Sequence, residues 1–148
     1  MMKVRQATTL DVDSIHSIEE QVFTHDIYSK GMIESNIQNP TYTTLVVDID
    51  DVVVGFITVS TVLDESELLK IAVSKSKQTR GVGSLLLESV EDMLRCSGTA
   101  SMFLEVRADN TSAIPFYEKH GYQKISIREK YYGDTDAYIY RKGLVNDT

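Results

Sequence analysis

The sequence has little cysteine, little proline and no tryptophan: one Cys (Cys96) and two Pro in 148 residues. A single cysteine excludes a disulfide framework and any cysteine-rich zinc site. His16, His25 and His120 are scattered, with no His-x-x-x-His spacing, so no metal is expected. There is no long apolar run either. The most apolar stretch, Val52-Val53-Val54-Gly55-Phe56-Ile57, is far short of the about 20 residues that a membrane helix needs. The first residues, Met1-Met2-Lys3-Val4-Arg5-Gln6, lack the apolar centre of an export signal. A cytoplasmic protein without a membrane partner is the expectation. An excess of basic residues is missing too. At a net charge of -7 the chain is repelled by phosphate backbones, which argues against nucleic-acid binding.

What is present is ordinary globular usage, 42% hydrophobic and 25% charged. A chain of this length buries about 68–70% of its unfolded surface, enough for a core without disulfides. One domain over residues 1–148 is expected, since no repeat, low-complexity stretch or linker interrupts it. The charge is uneven. The first 74 residues hold 4 Lys/Arg against 12 Asp/Glu, and the last 74 hold 11 against 10. A solvated acidic surface explains this, and so do two sites with opposite electrostatic needs.

Periodicity and turn residues set the order of elements. A strand at Lys3–Ala7 precedes a helix capped by Thr9 or Asp11 and running to Phe23, with Ile15, Ile18 and Val22 as its apolar stripe. A second helix covers Ser29–Gln38 and stops where Asn39 precedes Pro40. Strands at Thr44–Asp48 and Val52–Leu63 flank the turn Ile49-Asp50-Asp51. A strand at Glu67–Val73 leads through the polar loop Ser74–Thr79 into a long helix, Gly81–Ser97. There Val82, Leu86, Val90 and Met93 recur at helical spacing. Cys96, near the end of that helix, is expected to be a quiet, half-buried thiol. A strand at Ser101–Arg107, a short helix at Asn110–His120 and strands at Gln123–Lys130 and Asp136–Lys142 complete the chain. The order β-α-α-β-β-β-α-β-α-β-β is an α/β (α+β) sheet of mixed direction.

The segment Gln78-Thr79-Arg80-Gly81-Val82-Gly83-Ser84 carries the strongest chemical signal. Glycines let a ligand approach the backbone, and the free N–H groups and dipole of a helix start attract an anion such as a pyrophosphate. No Gly-x-x-x-x-Gly-Lys-Ser/Thr loop is present, and Leu86 occupies the third glycine position of a dinucleotide fingerprint. A tight strand-to-helix turn with no ligand is the plain alternative.

The third option, Gln/Arg-x-x-Gly-x-Gly/Ala at Gln78, Gly81 and Gly83, resembles the pyrophosphate loop of the Gcn5-related N-acetyltransferases, the GNAT family. Three further segments extend the likeness: Leu68–Val73, Leu104-Glu105-Val106-Arg107-Ala108-Asp109-Asn110, and Phe116-Tyr117-Glu118-Lys119-His120-Gly121-Tyr122. They look like the RimI-type group, whose members are ribosomal-protein alanine N-acetyltransferases. The resemblance is close over about residues 65–140. It implies the acyl-CoA N-acyltransferase fold, a mostly antiparallel mixed sheet flanked by helices, and an enzyme that moves acetyl from acetyl-CoA to a protein N-terminus such as that of ribosomal protein S18.

The resemblance also implies roles. Glu105 becomes the general base, and an α-amine of pKa ~8 asks little of it compared with a lysine at ~10.4. Tyr117 becomes the acid for the departing thiolate. The backbone of Ile71, Ala72 and Val73 receives pantetheine and the thioester carbonyl, where an N–H can stabilise an oxyanion. Gln78, Thr79, Arg80, Gly81, Val82, Gly83 and Ser84 hold the pyrophosphate. Asn110 touches the cofactor while capping its own helix. The sequence leaves the family pattern at Phe23-Thr24-His25-Asp26-Ile27-Tyr28-Ser29, where relatives often carry Phe-Pro-Trp-Ser, and in the last loop, Tyr131-Tyr132-Gly133-Asp134, which lacks the common proline. Another amine as acceptor (a lysine, a polyamine or a small molecule), or a non-catalytic acetyl-CoA-binding module, therefore stays open.

Overall fold

The computed structural model describes residues 1–78 and 80–145. The chain forms β1 (Met2–Gln6), α1 (Val12–Val22), α2 (Lys30–Gln38), β2 (Tyr42–Ile49), β3 (Val52–Val62), β4 (Glu65–Val73), α3 (Val82–Cys96), β5 (Ser101–Arg107), α4 (Ala113–Lys119), β6 (Gln123–Arg128) and β7 (Ala137–Gly143). These build one 7-stranded sheet in the order β1-β2-β3-β4-β5-β7-β6. Every neighbouring pair is antiparallel except β4–β5. The expected order of elements and sheet class hold.

Strand alternation divides the apolar residues between two layers. Leu45, Val47 and Ile57 face one side and pack with Leu86, Val90 and Leu94 of α3. Val46, Phe56 and Ala72 face the other and meet Ile15 and Ile18 of α1 and Ile33 of α2. Both faces are covered, so Leu45-Val46-Val47 is a continuous apolar run rather than an alternating one. Gly55 lets α3 seat closely. A Cβ there would lie 3.0 Å from Val82 and 3.2 Å from the Ala72 carbonyl.

The turns explain where boundaries moved. Asp50 and Asp51 both adopt positive φ (52° and 68°) and close a tight hairpin between paired Ile49 and Val52. That is the turn that matches strand twist, and Asp tolerates it. β3 stops one residue earlier than expected, because Leu63 turns at φ 57°. The helix-start expectation needs correction. Thr8, not Thr9 or Asp11, caps the first turn: its hydroxyl accepts from the Leu10 N–H, while Asp11 reaches back to the Thr8 N–H at 2.8 Å. Asp11 is instead held by Arg5 at 2.8 Å, which lowers its pKa, and Arg5 also binds Asp48 at 3.0 Å. Cys96 is exposed rather than half-buried, because it falls on the outer face at the end of α3.

Candidate active site

Two strands part to make the site. Parallel β4 and β5 pair only over Glu65–Glu67 and Ser101–Phe103. From Leu68 onward β4 keeps β3 on one edge and leaves β5 on the other. The Ser74 N–H donates to the Val54 carbonyl of β3 at 2.7 Å. Alternation then turns the backbone of Ala72 toward β3, and that of Ile71 and Val73 into the gap. The Val73 carbonyl accepts the Gln78 side-chain amide there, at 3.0 Å.

The loop after β4 makes one short 3-10 turn and enters α3 through Gly81, whose φ of 80° is left-handed and favours glycine. Among the described residues no side chain caps this helix start, and the N–H groups of Val82, Gly83 and Ser84 lack helical partners. Among the described residues a Cβ on Gly81 would meet nothing within 4 Å, and one on Gly83 would make only ordinary contacts, with Phe116 at 3.5 Å and Val73 at 3.9 Å. Packing within the chain thus gives no reason for glycine at 83, where it costs about 1 kcal/mol of helix propensity. Gln78 and Arg80 are exposed beside this open space. Thr79 lies outside the described residues. The Ser84 hydroxyl sits 2.9 Å from His120 Nε2.

Glu105 and Tyr117 occupy opposite faces of the sheet. Met102, Leu104 and Val106 of β5 enter the α3-side core, so Glu105 between them faces the α1–α2 side. Its Oε2 accepts the Tyr132 hydroxyl at 3.1 Å, and its Oε1 lies 3.4 Å from Arg128. Burial, and then the Glu105 charge, push the Tyr132 phenol up to about 12. Arg107 stacks over the Tyr132 ring at 4.8 Å and pairs with Asp109 and Asp134. Tyr117, on α4, packs edge-on against Phe116 and Tyr122 within the α3-side core. Burial alone pushes its phenol up to about 12. The edge of β4 that β5 leaves unpaired lies between these two faces.

Asn110 accepts the Ala113 N–H at 3.0 Å, so it caps the first turn of α4 although the helix proper starts later than expected. Pro115 falls within that first turn, where its missing N–H leaves no helical bond unmade. The Tyr132 and Arg128 contacts to Glu105, and the Ser84–His120 contact, were not legible in the sequence. The partners sit 27 and 36 residues apart, and Tyr132 in a polar loop carries no local sign of its role.

Residues 12–122 match the model of the acetyltransferase (GNAT) family. The chain is 35% identical, over 89% of its length and 90% of the relative's, to the [ribosomal protein bS18]-alanine N-acetyltransferase of Salmonella typhimurium. Among solved structures it resembles the ribosomal-protein-S18-alanine N-acetyltransferase from Escherichia coli, with a TM-score of 0.90 and 32% identity over 100% of this chain and 97% of that one. A PaiA N-acetyltransferase from Thermoplasma acidophilum in complex with coenzyme A shares the fold, with a TM-score of 0.83 and 19% identity over 97% of this chain and 99% of that one. No described helix is long and apolar enough to cross a membrane. The parted strands, the uncapped helix behind a left-handed glycine and these likenesses agree, and the chain belongs to the acetyltransferase (GNAT) family.

Proposed function

We propose that this chain moves the acetyl group of acetyl-CoA onto the α-amine of a protein N-terminus, that of the alanine of ribosomal protein bS18, in the cytoplasm. The observation that carries the reading is the parting of β4 from β5 beyond Glu67, which leaves the Ile71 and Val73 edge of β4 unpaired between the Glu105 face and the Tyr117 face. Identity of about a third to proteins named for this reaction supports the choice of acceptor.

The residues present suit acetyl-CoA. The N–H groups of Val82, Gly83 and Ser84, unpartnered among the described residues, suit a pyrophosphate, with exposed Gln78 and Arg80 close by in the chain. The gap-facing N–H and C=O of Ile71 and Val73 suit an amide-bearing arm, and Asn110 stands at the start of α4 beside it. Glu105 takes a proton from the acceptor's ammonium, and the neutral amine attacks the thioester carbonyl. The C–S bond breaks, Tyr117 hydrogen-bonds the leaving sulfur, and the nitrogen's second excess proton passes to that thiolate, leaving a neutral amide and CoA thiol. At about 12 the Tyr117 phenol is a weaker acid than a free thiol, so it serves first as a hydrogen-bond donor.

The test is mass spectrometry of bS18 after incubation with the protein and acetyl-CoA. One acetyl group on the N-terminal alanine is expected. An unmodified N-terminus, with acetyl appearing instead on a lysine or a small amine, would sink the acceptor assignment.

A further inference from the structure

The segment between α1 and α2, residues 23–29, has no helix or strand of its own and departs from the family pattern. One side chain gathers it. The ammonium of Lys70, on β4, lies 2.6 Å from Glu19 Oε1 and donates to the Asp26 carbonyl. It also lies 4.2 Å from the centre of the Phe23 ring and 3.9 Å from that of Tyr28. Glu19 Oε1 accepts the Tyr28 N–H as well, at 2.9 Å. The Lys70 side chain is 9% exposed and that of Glu19 0%. Glu19 Oε2 is buried without a hydrogen-bond partner among the described residues, so Lys70 answers this charge nearly alone. Asp26 turns at a left-handed φ of 56°, which Asp tolerates, and its carbonyl is fixed by Lys70.

Lys70 immediately precedes Ile71, whose backbone faces the gap. The end of α1 is tied to the same rim, where Gln21 accepts from Ser74 and Lys75 at 3.3 Å. Lys70 and Glu105 also face the same side of the sheet. Residues 23–29, held by Lys70, and the Tyr132 that meets Glu105 thus lie on one side of the sheet, the first on the strand that borders the gap.

We propose that Lys70, with Glu19, is a positioning residue for the acceptor. The pair clamps residues 23–29 onto the strand that borders the gap and so sets the wall the acceptor's first residues meet. This rests on the acetyltransferase reading above. Both charges are buried, so removing one alone leaves the other uncompensated. The informative variant therefore removes both and keeps their size: Glu19→Gln with Lys70→Met.

The experiment measures steady-state kinetics on a bS18 N-terminal peptide and hydrogen exchange of residues 23–29. The double variant is expected to raise the peptide KM about tenfold or more, to leave the acetyl-CoA KM within about twofold, and to speed exchange in the loop. Lys70→Arg, which keeps a cation for Glu19 and the rings but is larger and planar, is expected to fall between wild type and the double variant in peptide KM and loop exchange. A double variant with unchanged peptide KM, or with both KM values raised alike, would overturn the proposal. If the wild-type protein does not turn over the peptide, the acceptor assignment has failed instead. The clamp then stands or falls on exchange alone: faster in the double variant supports it, unchanged overturns it.

Discussion

The two faces of the sheet are held in different ways. On the α3 side the contacts that shape the cofactor half are mostly close in sequence. Gln78 reaches back five residues to Val73, Asn110 caps a turn three residues on, and Gly81 bends the chain by its own φ. On the α1–α2 side the order comes from buried ion pairs between distant segments, Arg5 with Asp48 across 43 residues and Lys70 with Glu19 across 51. The α3 face has long-range pairs of its own, Glu91 with Lys142 across 51 residues and Ser84 with His120 across 36, but its loop after β4 is set by local contacts and so carries a signature in sequence. Residues 23–29 are set by long-range pairs and carry none.

The comparison also revises the charge argument. The acidic first half is not simply a solvated surface, since Asp11, Glu19 and Asp48 are buried and lie against Arg5 and Lys70. These acids are internal structure. Only the rest can act on a basic partner.

The sharpest way to break the contrast is through the chemistry itself. Glu105→Gln and Tyr117→Phe should each lower kcat by roughly 10²–10⁴-fold while CoA binding, followed by calorimetry, stays close to wild type. Turnover unaffected by either change would remove the assignment of base and acid. The next effect is on stability. Lys70→Met alone should cost about 3–5 kcal/mol in denaturant melts, because it strands the Glu19 carboxylate, whereas the paired replacement should be close to neutral. Equal losses in the two would mean that the pair is not the anchor of that face.

Alkaline unfolding separates the faces more gently. The Tyr117 phenol is held at about 12 against 10.0 unfolded, so above pH 10 the unfolded chain loses a proton that the folded one keeps. Stability then falls between about pH 10 and 12, by about 2–3 kcal/mol for this residue. Tyr117→Phe should flatten that part of the pH–Tm curve, and an unchanged slope would contradict its burial. The smallest pair of effects sets a local cap against a surface charge. Asn110→Ala should cost about 1 kcal/mol through the lost cap. Asp92→Asn, which removes the exposed pair with Arg95 at 2.9 Å, should stay within about 0.5 kcal/mol.

Much of this molecule was legible before its coordinates. Ser101–Arg107 was read to the residue, and α3 within one residue at each end, because apolar spacing and terminal glycines are local signals. The capping of the first helix was misassigned because Thr8, Thr9 and Asp11 are all competent, and backbone conformation chooses among them. Cys96 departs from the expected half-burial because helical periodicity cannot say how far the sheet extends beneath the last turn.

By itself the sequence determined the order of elements, the mixed sheet and the glycine turn that opens α3, since each depends on neighbours within a few positions. Tertiary structure alone decided that Glu105 is met by Tyr132 and Arg128, that Glu105 and Tyr117 lie on opposite faces beside one gap, and that Lys70 organises residues 23–29. The physical reason is range. Propensity, capping and turn chemistry act over one or two turns of chain, whereas a buried charge is stable only beside a partner that the whole fold brings to it.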